Sequence, residues 1–292
     1  MIKRLRYVLR TRGMAGIFSA VSRRIYAPKS EAFKAYQQLV SGKTGLEIGG
    51  PSPIFGRRGL LPIYPIVGHL DNCNFGYSTI WEGRLIEGLN FRYDTSHSPG
   101  YQYIREATDL VSIPSGFYDF MLSSHAIEHT ANPLKALEEW KRVLKDDGFI
   151  ILVVPHKDGT FDRKRPLTTL DHLVQDYQCS TGEDDLTHLP EILKLHDFEA
   201  DHEAGSVDEF KRRSERNHEN RCLHQHVFNT ELLLAVTNYM GLQIWAVEST
   251  MPCHIILIAQ KLSLNQAPKN QIFMDQGASY HLQSPFPSDK ST

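Results

Sequence analysis

Residues 119–155 read DFMLSSHAIEHTANPLKALEEWKRVLKDDGFIILVVP and decide the fold. The run 119–123 is apolar without a helical period, which is typical of one buried strand. Asn132 can cap a helix that begins at Pro133, because proline at the first helical position gives up no hydrogen bond that the helix uses. We expect Gly148 to supply the left-handed turn that ends this helix.

The run that follows the helix predicts a second strand, buried on both faces. Residues 149–154 are all apolar, and Pro155 ends the run. Such a strand belongs in the middle of a parallel sheet with helices above and below it. The crossover of a βαβ unit brings the carboxyl ends of both strands to one edge, where open α/β sheets bind their ligands. The sequence therefore predicts a site that includes residues 125–129 and the chain from His156 onward.

Composition bounds the class of protein. The chain has 292 residues, 41% hydrophobic and 23% charged, as expected for one elaborated globular domain. A net charge of −2 disfavours a nucleic-acid partner. The four cysteines form no CxxC pair, which favours a reducing, cytoplasmic compartment. No apolar run approaches the ~20 residues of a membrane span.

The N-terminal segment is basic. Residues 1–25, MIKRLRYVLRTRGMAGIFSAVSRRI, hold seven Lys and Arg and no acid. We interpret residues 1–30 as a basic helix that packs on the domain or contacts a protein partner or a membrane surface. A transit peptide is an alternative, whereas a secretory signal is disfavoured because arginines interrupt its apolar run.

A glycine turn and an acid precede the deciding stretch. The short strand 46–48 runs into Gly49 and Gly50, which permit positive φ and close approach of a ligand. The turn is not a G-x-G-x-x-G fingerprint, because Pro51 follows at once. Residues 65–71 predict a second strand that places Asp71 at its tip, where an acid can bind ribose hydroxyls. A third strand is expected at 101–107.

The series LEIGG, LD, EATDL and HAIEH–NP–LKDDG along residues 43–155 resembles the class I S-adenosylmethionine-dependent methyltransferases. The resemblance implies S-adenosylmethionine as cofactor and an α/β, doubly wound, seven-stranded Rossmann-like sheet with an inserted helical lid. The first motif departs from the family's usual three glycines. Matched position by position, the implied cofactor-binding residues are Glu47, Gly49, Gly50, Asp71, Glu106, Ala107 and Ser124.

The same resemblance divides the chain into a core and an insert. The cofactor-binding core is expected at 31–155 and a substrate-covering insert at 156–228. The core sheet ends at 229–262 with a helix over 230–240 and an antiparallel pair of strands, 242–248 and 254–260. The polar, aperiodic residues 263–292 predict a loosely ordered tail.

The insert resembles a narrower subgroup of methyltransferases. Its segments TFDRKRPLTTLDHLVQDY and HQHVF are similar to those of enzymes found with sugar-polymer and secondary-metabolite pathways. The resemblance implies a small polar or saccharide-type substrate, methylated at oxygen.

Methyl transfer from a sulfonium is a direct displacement that needs alignment and, for a hydroxyl acceptor, a base. Histidine suits the base at neutral pH. We expect His125, His156 or His172 to lie beside the reacting methyl group. Arg165 can orient the substrate and Asp162 can orient a base. No metal is expected at the cofactor site.

Other readings remain open. The pattern His125-x-x-Glu128-His129 matches that of inverted zinc proteases, which requires both histidines on one helical face. His224 and His226 can hold a divalent metal with Asp162 or Asp171, if the segment is a strand. A nicotinamide-dependent oxidoreductase and a catalytically silent binding or scaffold subunit are further alternatives.

Overall fold

The computed structural model of the chain describes residues 30–201 and 203–290. The basic helix predicted for residues 1–30, with its expected contact through residues 1–25, lies outside the described residues except for Ser30. That residue caps the first described helix, because its hydroxyl accepts a hydrogen bond from Phe33 N at 3.1 Å.

The described residues contain ten strands and nine α-helices. The strands are β1 Thr44–Ile48, β2 His69–Asn74, β3 Ser78–Thr79, β4 Gly83–Arg84, β5 Gly88–Phe91, β6 Gly100–Ile104, β7 Tyr118–Ser124, β8 Leu144–Pro155, β9 Leu242–Thr250 and β10 His254–Lys261. The helices are α1 Glu31–Tyr36, α2 Pro133–Val143, α3 Leu170–Cys179, α4 Leu189–Leu195, α5 Val207–Ser214, α6 Asn217–Asn220, α7 Thr230–Tyr239, α8 Gln271–Met274 and α9 Ser279–Gln283.

Eight strands form one sheet in the order β5-β6-β2-β1-β7-β8-β10-β9, and β3 and β4 form a separate hairpin. The strands from β6 to β8 pair in parallel. The pairs β5–β6, β8–β10 and β10–β9 are antiparallel. The predicted doubly wound α/β sheet is confirmed, with β5 as an additional edge strand.

The deciding stretch forms β7, α2 and β8, as predicted. The Asn132 side chain accepts a hydrogen bond from Lys135 N at 3.1 Å, and Pro133 is the first helical residue. The prediction for Gly148 is wrong, since the helix ends at Val143 and Asp147 holds the positive φ of 61°. Gly148 is needed for packing instead, because a Cβ there would lie 2.8 Å from a backbone oxygen.

Side chains of β8 alternate between two hydrophobic cores, one on each face of the sheet, which confirms the strand as central. One core contains Ile150, Leu152 and Val154 and is covered by α2 and α7. The other contains Phe149, Ile151 and Val153 and is covered by α1 and the irregular segment 53–67.

The second strand lies later in the chain than predicted. Strand β2 begins at His69, and the residues from 63 to 68 form turns that pack on the sheet. The residue at its carboxyl end is therefore Asn74, and Asp71 lies in the interior of the strand. The third strand, β6, ends at Ile104, so that Glu106 lies in the loop beyond it. The closing antiparallel pair, β9 and β10, is formed as expected.

Residues 263–290, expected to be a loosely ordered tail, instead pack on the domain. Tyr280 and Phe286 are buried. The buried Asp289 accepts hydrogen bonds from Thr230 Oγ1 and Ser284 Oγ, both at 2.6 Å. The helices α8 and α9 are too short to show a periodic pattern, so these few anchoring residues carry no sequence signal.

Helices α3 to α6 and their loops form the insert between β8 and α7. Ile192, Phe210 and Leu223 build a small core within it. Among the described residues, none of the helices combines the length and apolarity that crossing a bilayer requires.

Candidate functional site

A cavity of about 230 Å³ lies at the carboxyl edge of the sheet. The strand order reverses between β1 and β7, and open α/β sheets bind ligands at this switch point. Each of four strand ends contributes to the wall, for example through Gly49 after β1, Asn74 on β2, Glu106 after β6 and Ser124 on β7. Four chain segments therefore converge on one rim.

The glycine turn after β1 is built around a buried acid. Gly49 lines the cavity with a φ of 81°. A Cβ on Gly50 would lie 2.3 Å from the carboxyl carbon of Glu47. The Glu47 carboxyl accepts hydrogen bonds from Tyr64 Oη at 2.7 Å and Ser52 N at 3.0 Å. Burial raises the pKa of Glu47 to about 8, against the lowering effect of the Tyr64 hydrogen bond. Of the three residues assigned to this motif, Gly49 alone lines the cavity, while Glu47 and Gly50 shape the turn.

Asp71 does not line the cavity. Its buried carboxylate accepts hydrogen bonds from Tyr118 Oη and Tyr101 N, both at 2.7 Å, and lies 2.8 Å from His69 Nε2. The ribose-binding role predicted for this acid depended on the wrong strand end. Asn74 occupies the end of β2 instead, and its Nδ2 donates to Gly50 O at 3.0 Å.

The loops after β6 and β7 carry the other predicted residues. Glu106, Ala107, Ser124 and His125 all line the cavity. Trp140 Nε1 of α2 donates to Ala107 O at 3.0 Å, so the deciding helix positions this wall.

Two insert residues, Arg221 and Glu183, also line the cavity. Arg221 lies 2.5 Å from Glu106 Oε1 and 3.2 Å from Glu183 Oε2, and its guanidinium lies 5.4 Å from the centre of the Phe75 ring. Glu183 also accepts a hydrogen bond from Ala131 N at 3.2 Å. Burial raises the pKa of Glu183 to about 7, although Arg221 favours its charged form. The insert thus contributes a paired charge to the wall.

His125 is the predicted catalytic residue that the structure places in the cavity. Its φ of 52° is in the left-handed region, and its N–H donates to Val153 O at 2.8 Å. Its Nε2 lies 2.9 Å from His254 Nδ1. Burial, and then the neighbouring His254 and His224, lower the pKa of His125 to about 3. The imidazole is therefore neutral at neutral pH and can accept a hydrogen bond.

The other predicted catalytic residues do not line the cavity. His156 is fully buried, lies 3.0 Å from Asp289 Oδ1 and stacks on Phe286, because the C-terminal segment covers it. His172 lies on α3, with its Nε2 3.0 Å from His188 Nε2.

Asp162 and Arg165 form a buried ion pair inside the insert. Arg165 Nη1 donates to Asp162 Oδ1 at 2.9 Å and to His224 O at 2.8 Å. Asp162 Oδ2 lies 2.5 Å from His224 Nδ1. Burial disfavours the charge on Asp162, but His224 and Arg165 outweigh it and lower its pKa to about 2. The pair fixes His224 and the insert rather than contacting the cavity.

The two histidines proposed as a shared metal site point to different clusters. His224 faces Asp162, whereas His226 Nε2 lies 3.2 Å from Ala131 O. The expected common direction is wrong, because residues 224–226 form no strand. His224 joins Glu128 and His129, the latter a cavity residue, in a group whose ligand atoms could hold a metal.

The zinc-protease interpretation fails on geometry. His125 has left-handed backbone, and residues 127–129 form only a short 3₁₀ turn. His125 faces His254, while His129 Nδ1 lies 2.9 Å from Leu223 O. The two histidines therefore do not share one helical face.

Sequence reasoning missed several cavity residues. Trp81 lies in a stretch that had no assignment, and its ring packs edge-on against His129 at 5.3 Å. Arg221 ends the segment 199–221, which is crowded with charge of both signs, and Glu183 begins the acidic run 183–185, so the pattern does not separate either residue from solvated neighbours. Asn74 was hidden by the strand assignment, although a polar residue at a strand end was the available signal.

Comparison with known proteins agrees with this geometry. Residues 90–152 match the family model described as "Methyltransferase domain". No curated protein matches the chain. Solved structures with a similar fold include a SAM-dependent methyltransferase from Aquifex aeolicus, with 14% identity, coverage of 82% of this chain and 93% of that chain, and a TM-score of 0.44.

Two further structures resemble the chain to a comparable degree. An S-adenosylmethionine-dependent methyltransferase from Mesorhizobium loti has 12% identity, coverage of 78% of this chain and 95% of that chain, and a TM-score of 0.44. The methyltransferase CalH in complex with SAH has 14% identity, coverage of 88% and 62%, and a TM-score of 0.42. Since these scores are low, the assignment rests on the family model and on the sheet order. The match of residues 90–152 and the sheet order together support a class I, S-adenosylmethionine-dependent methyltransferase.

Proposed function

We propose that the chain transfers the methyl group of S-adenosylmethionine to an oxygen of a small polar, saccharide-type acceptor. The observation that carries the proposal is the composition of the cavity wall. Its sheet side is formed by strand ends and a glycine turn, and its insert side by a paired arginine and glutamate, with Trp81 and His129 beside them.

The sheet side suits the cofactor. Gly49 brings backbone close to the ligand, and Asn74 replaces Asp71 as the polar group at the end of β2. Glu106 and Ala107 line the part of the rim expected to hold the adenine, and Ser124 the part expected to hold the methionine portion. We assign the cofactor contacts to these five residues.

The insert side of the cavity wall suits a hydroxylated acceptor. Arg221 and Glu183 offer a donor and an acceptor of hydrogen bonds, and Trp81 offers an apolar face. These groups recognise several hydroxyls at once, which favours a saccharide over an apolar molecule.

We assign His125, which lines the cavity, to the acceptor's hydroxyl. The acceptor oxygen attacks the methyl carbon, the bond from that carbon to sulfur breaks, and S-adenosylhomocysteine leaves with the electron pair. The hydroxyl of the acceptor donates a hydrogen bond to the neutral imidazole of His125, and its proton passes to water as the new bond forms, because the lowered pKa of His125 disfavours a protonated ring. Arg221 and Glu183 hold the acceptor in line with the sulfonium.

The experiment has two stages. Calorimetry with S-adenosylmethionine and S-adenosylhomocysteine first establishes binding of both, and NADH serves as the negative control. Transfer of labelled methyl groups is then measured with a panel of monosaccharides, matched amines and aromatic hydroxyls. Labelled product confined to the sugars supports the proposal. Binding of the cofactor with product formed only from the amines would reject the oxygen acceptor, and binding of neither cofactor form would reject the site.

A further inference from the structure

A second constellation of ligating side chains lies within the insert, away from the cavity wall. His172 and Asp176 are one turn apart on α3, so they share a helical face. His188 precedes α4, and His226 lies in the segment that leads to α7. Three stretches of chain that are distant in sequence thus bring four ligating groups together. The potential ligand atoms of the three histidines lie within 4.8 Å of one another.

The spacing of these atoms fits a tetrahedral metal. His172 Nε2 lies 3.0 Å from His188 Nε2 and 3.4 Å from Asp176 Oδ2. The ring of His226 is also close, since its Nε2, the nitrogen that faces Ala131 O, lies 3.8 Å from Asp176 Oδ2. In a tetrahedral site with Zn–N bonds of about 2.0–2.1 Å, neighbouring ligand atoms are about 3.3 Å apart. A hydrogen bond explains the first of these contacts but not the other two.

Unpartnered polar atoms in the cluster point to a missing ligand. Asp176 Oδ2 and His226 Nδ1 are buried and have no hydrogen-bond partner among residues 30–201 and 203–290. Asp176 Oδ1, by contrast, accepts a hydrogen bond from Thr181 Oγ1 at 3.0 Å. His226 already has one ring nitrogen against a backbone carbonyl, that of Ala131, at 3.2 Å. This contact is typical of metal-bound histidines, because it orients the ring and leaves the other nitrogen for the ion.

We propose that His172, Asp176, His188 and His226 bind one Zn²⁺ ion in a closed, four-coordinate structural site. Three imidazoles and one carboxylate form a donor set that Zn²⁺ accepts readily. His172 is then a structural metal ligand and not the catalytic residue that the sequence predicted. The proposal does not depend on the acceptor assigned above.

The site has a consequence for the cavity. Glu183 lies in the loop between two of the ligands, Asp176 and His188, and pairs with Arg221. Asn132 Nδ2 also donates to Asp176 O at 2.9 Å, which joins the ligand-bearing helix to the cap of α2. A bound ion therefore fixes the loop that closes the cavity against the core.

The test measures metal content in the full-length, untagged protein. Elemental analysis after purification and gel filtration should find one Zn²⁺ per chain. The variants His188→Ala and Asp176→Asn should lose it and bind added Zn²⁺ more than about 100-fold more weakly. The matched control His218→Ala removes an imidazole that is exposed on the same insert, and should retain the ion. Replacement by Co²⁺ should give the visible absorption of a tetrahedral site in wild type and in the control.

The outcomes that overturn the proposal are distinct. Wild-type protein that neither contains Zn²⁺ nor binds it in a titration would reject the site. Retention of the ion in His188→Ala and Asp176→Asn, with its loss in Glu128→Gln, would place it in the other histidine cluster and reject this one. Circular dichroism of each variant shows whether it folds. If His188→Ala does not fold, the melting temperature of the wild-type protein with and without Zn²⁺ serves as the test instead.

Discussion

Two residues of β2, Asp71 and Asn74, should have different roles. Substitution of Asp71 should reduce the stability of the fold, and substitution of Asn74 should reduce the affinity for the cofactor. In Asp71→Ala, Tyr118 Oη and Tyr101 N lose the acceptor that each contacts at 2.7 Å. A buried donor left without a partner costs about 1–3 kcal/mol, so we expect a loss of about 3–5 kcal/mol in the free energy of unfolding. That is a large part of the 5–15 kcal/mol typical of a domain. The affinity for S-adenosylhomocysteine should stay within about twofold in the folded protein.

Asn74→Ala should show the reverse behaviour. It removes one hydrogen bond, from Nδ2 to Gly50 O, and should cost about 1 kcal/mol of stability. As a cavity residue it should weaken the binding of S-adenosylhomocysteine about tenfold or more, equivalent to about 1.4 kcal/mol. Urea unfolding measures the first quantity and calorimetry the second. If Asp71→Ala kept its stability and lost its affinity for S-adenosylhomocysteine, the assignment of Asn74 rather than Asp71 to the cofactor would be refuted.

Three more predictions concern the cavity and its support. His125→Ala should lower kcat about 100-fold and change KM only a few-fold, as steady-state kinetics will show, whereas a matching loss in KM alone would remove the residue from the chemical step. Arg221→Lys keeps the charge but not the planar fork between Glu106 and Glu183. It should raise the KM for the acceptor, and it should weaken the calorimetric affinity for S-adenosylhomocysteine by a smaller factor, because Arg221 also holds the cofactor residue Glu106. Burial raises the pKa of Glu47 to about 8, so the folded state holds a proton that the unfolded state releases above about pH 4.5. The bound proton stabilises the folded state, and this contribution to the free energy of unfolding should be lost as the pH rises to 8. Urea unfolding between pH 6.5 and 8.5 should therefore show a decline for wild type, by about 2 kcal/mol across this window, that Glu47→Gln flattens.

The middle of the sheet could be predicted because its sequence is constrained from both sides. In β8 every residue from 149 to 154 must be apolar, since both faces meet a core. Asn132 and Pro133 mark the start of α2 by local hydrogen bonding, which depends on no distant contact. The doubly wound arrangement of the whole sheet, by contrast, was implied by the family resemblance.

The error at β2 has a specific physical origin. Residues 65–67 are apolar because they pack on the sheet through Val67, not because they belong to a strand. The true strand carries buried polar residues, Asp71, Asn72 and Asn74, whose hydrogen bonds to the glycine turn and to neighbouring strands offset their burial. A pattern of apolar periodicity cannot find such a strand, and the end of the strand moved by three residues.

The insert was the least predictable part of the site, and its histidines show why. A residue at a strand end has its position set by the sheet, so the positions that the family resemblance implied for Gly49, Glu106 and Ser124 carry over to this chain. The direction of His224 or His226 depends instead on where α3, α4 and the segment before α7 pack, and two residues of irregular chain turn one ring toward Asp162 and the other toward Asp176. The cofactor side of the cavity lies on the sheet, and the side that we assign to the acceptor lies on the insert. The residues for the methyl donor could therefore be predicted from the sequence, whereas those for the acceptor could be identified only from the structure.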